Sequence, residues 1–138
     1  MKMKLQKILS RFQKLHPKEI DLSLDRIKDL CQRLGNPQDK LKVISVVGTN
    51  GKYSTIQAMF AILKEANIKC NIYTSPHIKK INERFVFNNL ELNDEELASL
   101  FEEIESANNK EPITFFEILT AAYFLKASQY PDNINLIE

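Results

Sequence analysis

One short segment, Gly48-Thr49-Asn50-Gly51-Lys52-Tyr53-Ser54-Thr55, limits the fold more than any other part of the chain. It follows Val43-Ile44-Ser45-Val46-Val47, a β-branched and almost wholly apolar run that reads as a strand buried on both faces. Behind it, residues 52–66 place Ile56, Met59, Phe60 and Leu63 on one helical face, and Cys70-Asn71-Ile72-Tyr73 reads as the next strand. Strand, glycine-bearing turn, helix and strand within about 30 residues make a βαβ unit, and a βαβ unit requires a parallel sheet.

The same segment carries chemistry. Glycines let backbone N–H groups approach an anion, and the helix N-terminus adds its positive end. Lys52 is placed to neutralise β- and γ-phosphates, and the hydroxyl of Ser54 or Thr55 to reach Mg²⁺. Two positions depart from the standard phosphate-loop pattern. Val46 stands where its first glycine belongs, and Tyr53 where a hydroxyl residue follows the lysine. Taken alone, the loop also reads as a tight strand-to-helix turn with no ligand.

Elsewhere the pattern is mostly helical. Leu5, Ile8, Leu9, Phe12 and Leu15 recur at helical spacing in a basic N-terminal helix, Met1 to Leu15, that ends at His16-Pro17. A second helix runs from about Leu24 to Leu34, with Ser23 as N-cap, Leu24, Ile27, Leu30, Cys31 and Leu34 on one face, and Gly35 as its stop. Residues 84–87 and 90–92 flank Asn88-Asn89 as a small hairpin. Asn93 with Glu96, and Thr114 with Glu117, each open a further helix as a cap and its partner three residues on. Ile134 to Ile137 reads as another buried parallel strand, ending at Glu138. His16 and His77 have no partner visible in the sequence and read as structural or solvent-facing.

At 138 residues and 43% hydrophobic composition the chain fits one domain with one core. No apolar run approaches the roughly 20 residues of a membrane span, no secretory leader is visible, and nothing marks a nucleic-acid partner. Cys31 and Cys70 lack metal-ligand spacing, so free buried thiols in a reducing, cytoplasmic setting are expected. The net charge of +1 conceals a division: residues 1–90 hold 17 Lys/Arg against 7 Asp/Glu, and residues 91–138 hold 2 against 11. Such a division suits either a basic side that attracts phosphates or two solvated helical faces of opposite sign.

Five motifs occur in order: Arg33-Leu34-Gly35-Asn36-Pro37-Gln38, Gly48-Thr49-Asn50-Gly51-Lys52, Tyr73-Thr74-Ser75-Pro76-His77, Asn82-Glu83-Arg84, and Ile113-Thr114-Phe115-Phe116-Glu117. Together, from about Leu15 to Glu138, they resemble the N-terminal part of the folylpolyglutamate synthase/dihydrofolate synthase family, within the Mur ligase superfamily. The resemblance implies an α/β fold with a phosphate loop and a mostly parallel, doubly wound sheet. Residues 1–35 would be N-terminal helices and residues 42–138 the first part of the ATP-binding domain. It implies ATP and Mg²⁺ as cofactors, and folate or dihydropteroate with glutamate as substrates. In that family ATP phosphorylates the folate carboxylate and the glutamate amine attacks the acyl phosphate.

Carried over by position, the resemblance gives the ATP phosphates to the segment Gly48, Thr49, Asn50, Gly51, Lys52, Tyr53, Ser54 and Thr55. It gives Mg²⁺ to Ser75 and Glu138, and the pterin/folate contacts to Ile20-Asp21-Leu22 and Thr114-Phe115-Phe116-Glu117. Ser75 and Glu138 are then expected beside Lys52, close enough to share a hydrated cation, since ligand crevices form at carboxyl ends of parallel strands. Tyr53 replaces the family's glycine, so its ring either blocks the phosphates or swings outward. The family's continuation beyond the metal-binding glutamate is not in the sequence. The chain is therefore expected to bind ATP·Mg poorly and to be inactive alone, as a non-catalytic remnant with weak or no nucleotide binding or as one half of a split ligase whose second half is separately encoded. Leu34-Gly35-Asn36-Pro37-Gln38 and Thr114-Phe115-Phe116-Glu117 disfavour a peptide ligase of the same superfamily.

Overall fold

In the computed structural model, which describes residues 2–138, the elements in chain order are α1 (Lys2–Gln13), α2 (Asp25–Arg33), β1 (Lys42–Ser45), α3 (Lys52–Glu65), β2 (Cys70–Tyr73), β3 (Phe85–Phe87), β4 (Leu90–Glu91), α4 (Asp94–Asn108), α5 (Phe115–Ala127) and β5 (Ile134–Ile137). Met1, which the sequence assigns to the first helix, lies outside the described residues. The backbone divides into two compact units, one of Met1–Asp39 with Asn93–Lys126, the other of Lys40–Leu92 with Ala127–Glu138.

The first unit is helical. The apolar stripe of α1 buries Leu5, Ile8 and Phe12, and the Phe12 ring meets Phe101 of α4 at 5.3 Å between centroids. Across the same helix pair, Lys4 reaches Glu102 at 3.0 Å, and Arg11 forms a two-pronged bridge to Glu105 at 2.7 and 2.9 Å. Part of the charge division along the sequence is thus complementarity between a basic α1 and an acidic α4. The Asn93 side chain accepts from the Glu96 N–H at 2.8 Å, and the Asn93 N–H donates to the Glu96 carboxylate at 3.2 Å, so α4 opens with the anticipated capping box. At α2 the expectation shifts by one residue. Leu24, not Ser23, is the N-cap, and it is largely exposed. The C-terminus of α2 is closed by Gly35 N–H to Gln32 C=O and Asn36 N–H to Cys31 C=O, the paired bonds that satisfy a helix's last carbonyls.

The second unit holds a five-stranded sheet in the order β1-β5-β2-β3-β4. β5 pairs parallel with both β1 and β2, while β2–β3 and β3–β4 are antiparallel. The strands of the βαβ unit therefore run parallel with β5 inserted between them. β3 and β4 form the hairpin read from Asn88-Asn89, whose φ values of 54° and 69° suit a type I′ turn. On one face α3 buries Ile56 against Ile72 and Leu136, with Val46, Met59, Phe60, Leu63, Val86 and Ile134 packed around them. β2 is buried throughout, as a central strand should be. β1 is not. Its four residues are exposed, with Val43 at 45% and Ile44 at 39%: β1 is an edge strand whose side chains lack full cover on either face, so the expected burial on both faces fails.

A polar network threads the sheet. Asn71 Nδ2 donates to Asn135 Oδ1 at 3.1 Å, Asn133 Nδ2 donates to the side-chain oxygens of Asn71 and Asn88, and Asn135 Nδ2 donates to the Lys42 carbonyl. Asn71 and Asn135 are fully buried, and these bonds offset the cost of burying amides.

Candidate functional site

The carboxyl ends of β1, β2 and β5 lie at the same edge of the sheet, because the three strands are parallel. The glycine loop leaves β1 there. Gly48 has φ +143° and Gly51 φ +77°, conformations that a side chain resists. Gly51 is the N-cap of α3, and the first intrahelical bond runs from Thr55 N–H to Gly51 C=O at 2.9 Å. The N–H groups of Lys52, Tyr53 and Ser54 thus lack acceptors within the helix. Gly48, Thr49, Asn50, Gly51, Tyr53, Ser54 and Thr55 are exposed, and Lys52 is half-buried. Tyr53 is 63% exposed, so its ring is not packed into the protein.

Lys52 Nζ lies 3.5 Å from Glu138 Oε1. Glu138 is held one residue past β5, where its N–H donates to the Tyr73 carbonyl at 3.0 Å and its side chain is 12% exposed. That anchoring argues against a loose chain end. Ser75 follows two residues after Tyr73 and is half-buried. The loop that carries it is fastened by Glu83, whose carboxylate accepts the N–H groups of Lys79 and Lys80 at 2.6 Å each, and by Arg84. Arg84 Nε donates to His77 Nδ1 at 2.8 Å, which supplies the partner that the sequence did not reveal. Burial, reinforced by the Arg84 charge, holds the His77 pKa below its usual value and keeps that nitrogen an acceptor.

The remaining candidates belong to the helical unit. Ile20 and Leu22 are 94% and 91% exposed on either side of Asp21. Phe115 is half-buried and Phe116 is 51% exposed. Thr114 Oγ1 accepts the Glu117 N–H at 3.1 Å, and Glu117 Oε1 accepts the Thr114 N–H at 3.0 Å, so this pair does cap α5. Sequence reasoning missed Arg26, which bonds both segments: its Nε donates to Glu117 Oε1 at 2.9 Å and its Nη2 to the Asp21 carbonyl at 2.8 Å. A signal was available. A cation in the first turn of a helix opposes the helix dipole and calls for a compensating anion. Among the described residues no group of three or more His, Cys, Asp or Glu side chains could hold a metal ion, and no helix is long and apolar enough to cross a membrane.

No family model matches the chain. Known proteins do. The dihydrofolate synthase/folylpolyglutamate synthase of Escherichia coli (strain K12) is 37% identical over 123 residues, covering 88% of this chain and 29% of the relative. Its namesake in Bacillus subtilis (strain 168) is 37% identical over 114 residues, with 78% and 26% covered. Among solved structures, the bifunctional Yersinia pestis enzyme complexed with AMPPNP and Mn ion superposes with a TM-score of 0.88 at 30% identity, over 97% of this chain and 33% of that one. The E. coli protein in complex with DHPP and ADP gives 0.86 at 34% identity, over 97% and 32%. The chain spans a quarter to a third of the length of these relatives. Sequence identity and backbone agree along nearly all of its length, and on that ground the chain belongs to the dihydrofolate synthase/folylpolyglutamate synthase family.

Proposed function

We propose that this chain is the nucleotide- and folate-binding part of an ATP-driven ligase that joins glutamate to a folate or to dihydropteroate. The observation that carries the reading is the Lys52–Glu138 pair, 3.5 Å apart beside an open glycine loop at the carboxyl edge of three parallel strands. Ligands of α/β sheets bind at such an edge. The ADP, AMPPNP and Mn found with solved relatives support it.

In this reading Asn50, Gly51, Lys52 and Ser54, within the segment 48–55, hold the ATP phosphates. Backbone N–H groups at the start of α3 point at the anion and Lys52 neutralises it. Ser75 and Glu138 hold Mg²⁺. The donor set fits: one hydroxyl and one carboxylate are hard oxygen ligands, and Mg²⁺ characteristically takes few protein groups, with phosphate oxygens and waters completing its shell. When bound, the ion supplies positive charge against the charge that develops on the phosphoryl oxygens. Lys52 serves twice, drawing in phosphate and fixing the Glu138 carboxylate. Ile20-Asp21-Leu22 and Thr114-Phe115-Phe116-Glu117 hold the folate. The chain's share of the reaction is positioning, a large part of catalysis when two substrates must meet.

Glutamate ligation also needs what the longer relatives contain beyond this part, and the setting is the cytoplasm, in keeping with two free, buried cysteines. Calorimetry with ATP·Mg and a glutamate-ligation assay test the proposal. The chain should bind ATP·Mg, and Lys52→Ala should weaken binding about tenfold to a hundredfold, the effect of losing a charge-assisted contact. Ligation should be absent for the 138-residue chain alone. Equal affinity in both proteins would overturn the nucleotide assignment, and turnover by these 138 residues alone would overturn the need for what the longer relatives add.

A further inference from the structure

Arg26 occupies an unusual position. It sits in the first turn of α2, yet its side chain is only 17% exposed, and its guanidinium meets three oxygens, two on Asp21 five residues away and one on Glu117, 91 residues away. Nε reaches Glu117 Oε1 at 2.9 Å, Nη2 reaches the Asp21 carbonyl at 2.8 Å, and Nη1 lies 3.4 Å from Asp21 Oδ2. Asp21 also accepts the Ser23 N–H at 2.9 Å through its other carboxylate oxygen, which stiffens the turn. Ile20 and Leu22, the residues on either side, stand almost fully in water, and Phe116 beside Glu117 is half exposed. The chain therefore orders a short loop with a partly buried cation while leaving its apolar side chains uncovered.

We propose that Arg26 is the positioning residue of the folate site, one guanidinium tying the Ile20–Leu22 turn to the N-terminus of α5 so that Ile20, Leu22 and Phe116 are presented to a flat heterocycle. The inference rests on the folate reading above and adds to it the residue that builds the site. A planar fork with five donors spans two acceptors from separate segments; an ammonium is a compact charge that does not reproduce the fork. Arg26 itself makes no contact with ligand. Its effect is on affinity for the pterin end of the substrate, while the groups proposed for nucleotide all belong to the other unit.

The test compares the chain with Arg26→Lys and Glu117→Gln, using 7,8-dihydropteroate and ADP·Mg as separate probes in calorimetry, with amide hydrogen exchange at residues 20–23 and 114–117. Dihydropteroate affinity should fall about tenfold in Arg26→Lys and less in Glu117→Gln, which keeps a neutral acceptor. Exchange at both segments should quicken, and ADP·Mg affinity should stay unchanged. Undiminished dihydropteroate affinity in Arg26→Lys would overturn the positioning role and leave the folate reading standing. Parallel loss of both ligands with loss of cooperative unfolding would also overturn it, since Arg26 would then serve only to fold the unit. Binding of ADP·Mg but not dihydropteroate by the unsubstituted chain would overturn the folate reading and this inference with it.

Discussion

Glu117 shows how much a single carboxylate can organise. Burial pushes its pKa up, but the Arg26 guanidinium and the Thr114 N–H and hydroxyl outweigh burial and leave it below the usual glutamate value. A carboxylate whose folded pKa is depressed adds stability above its unfolded pKa, and the contribution is lost as pH falls through the lower folded value. Thermal unfolding should therefore show a drop in Tm on acidification below about pH 5 that is shallower in Glu117→Gln, which cannot titrate. An identical pH dependence in the two proteins would contradict this account. At Tyr53 the sequence left two outcomes open, and a ring 63% exposed leaves the choice to a binding measurement. Tyr53→Gly should leave ATP·Mg affinity within about twofold of the original, while glycine in the first turn of α3 costs roughly 0.5–1 kcal/mol in a chemical-denaturation curve. A large gain in affinity would mean that the ring does obstruct the phosphates.

Among the elements, those with strong local signals were legible. The capping boxes of α4 and α5 and the Asn88-Asn89 turn were read from side chains that form the bonds themselves, so no distant information was required. β1 was misjudged because a β-branched run has the same composition at the edge of a sheet as at its centre; only the strand order separates the two. The Asn71, Asn133 and Asn135 network was invisible for a related reason, since Asn71 lies more than 60 residues from the other two. The contrast between α3 and β1 can be measured. Ile56 is fully buried against the sheet, and Ile56→Ala should cost about 2–4 kcal/mol in denaturant unfolding. Val43→Thr, at a 45% exposed edge position, should cost less than about 1 kcal/mol. Comparable losses at both sites would contradict the edge assignment.

For the whole molecule, the sequence alone determined the strand–loop–helix–strand unit, the candidate phosphate loop and the family, because each is written in contiguous residues whose spacing carries the information. It also identified Lys52, Ser75 and Glu138 separately as candidates. Their proximity was expected from the resemblance, but the strand order that produces it was not. Glu138 comes within 3.5 Å of Lys52 only because β5 inserts between β1 and β2, bringing together residues 86 positions apart. Arg26, Arg84 and the asparagine network were likewise settled by tertiary structure. A hydrogen bond between distant segments leaves no periodicity in the chain, and a charged side chain looks the same in sequence whether it faces water or holds two loops together.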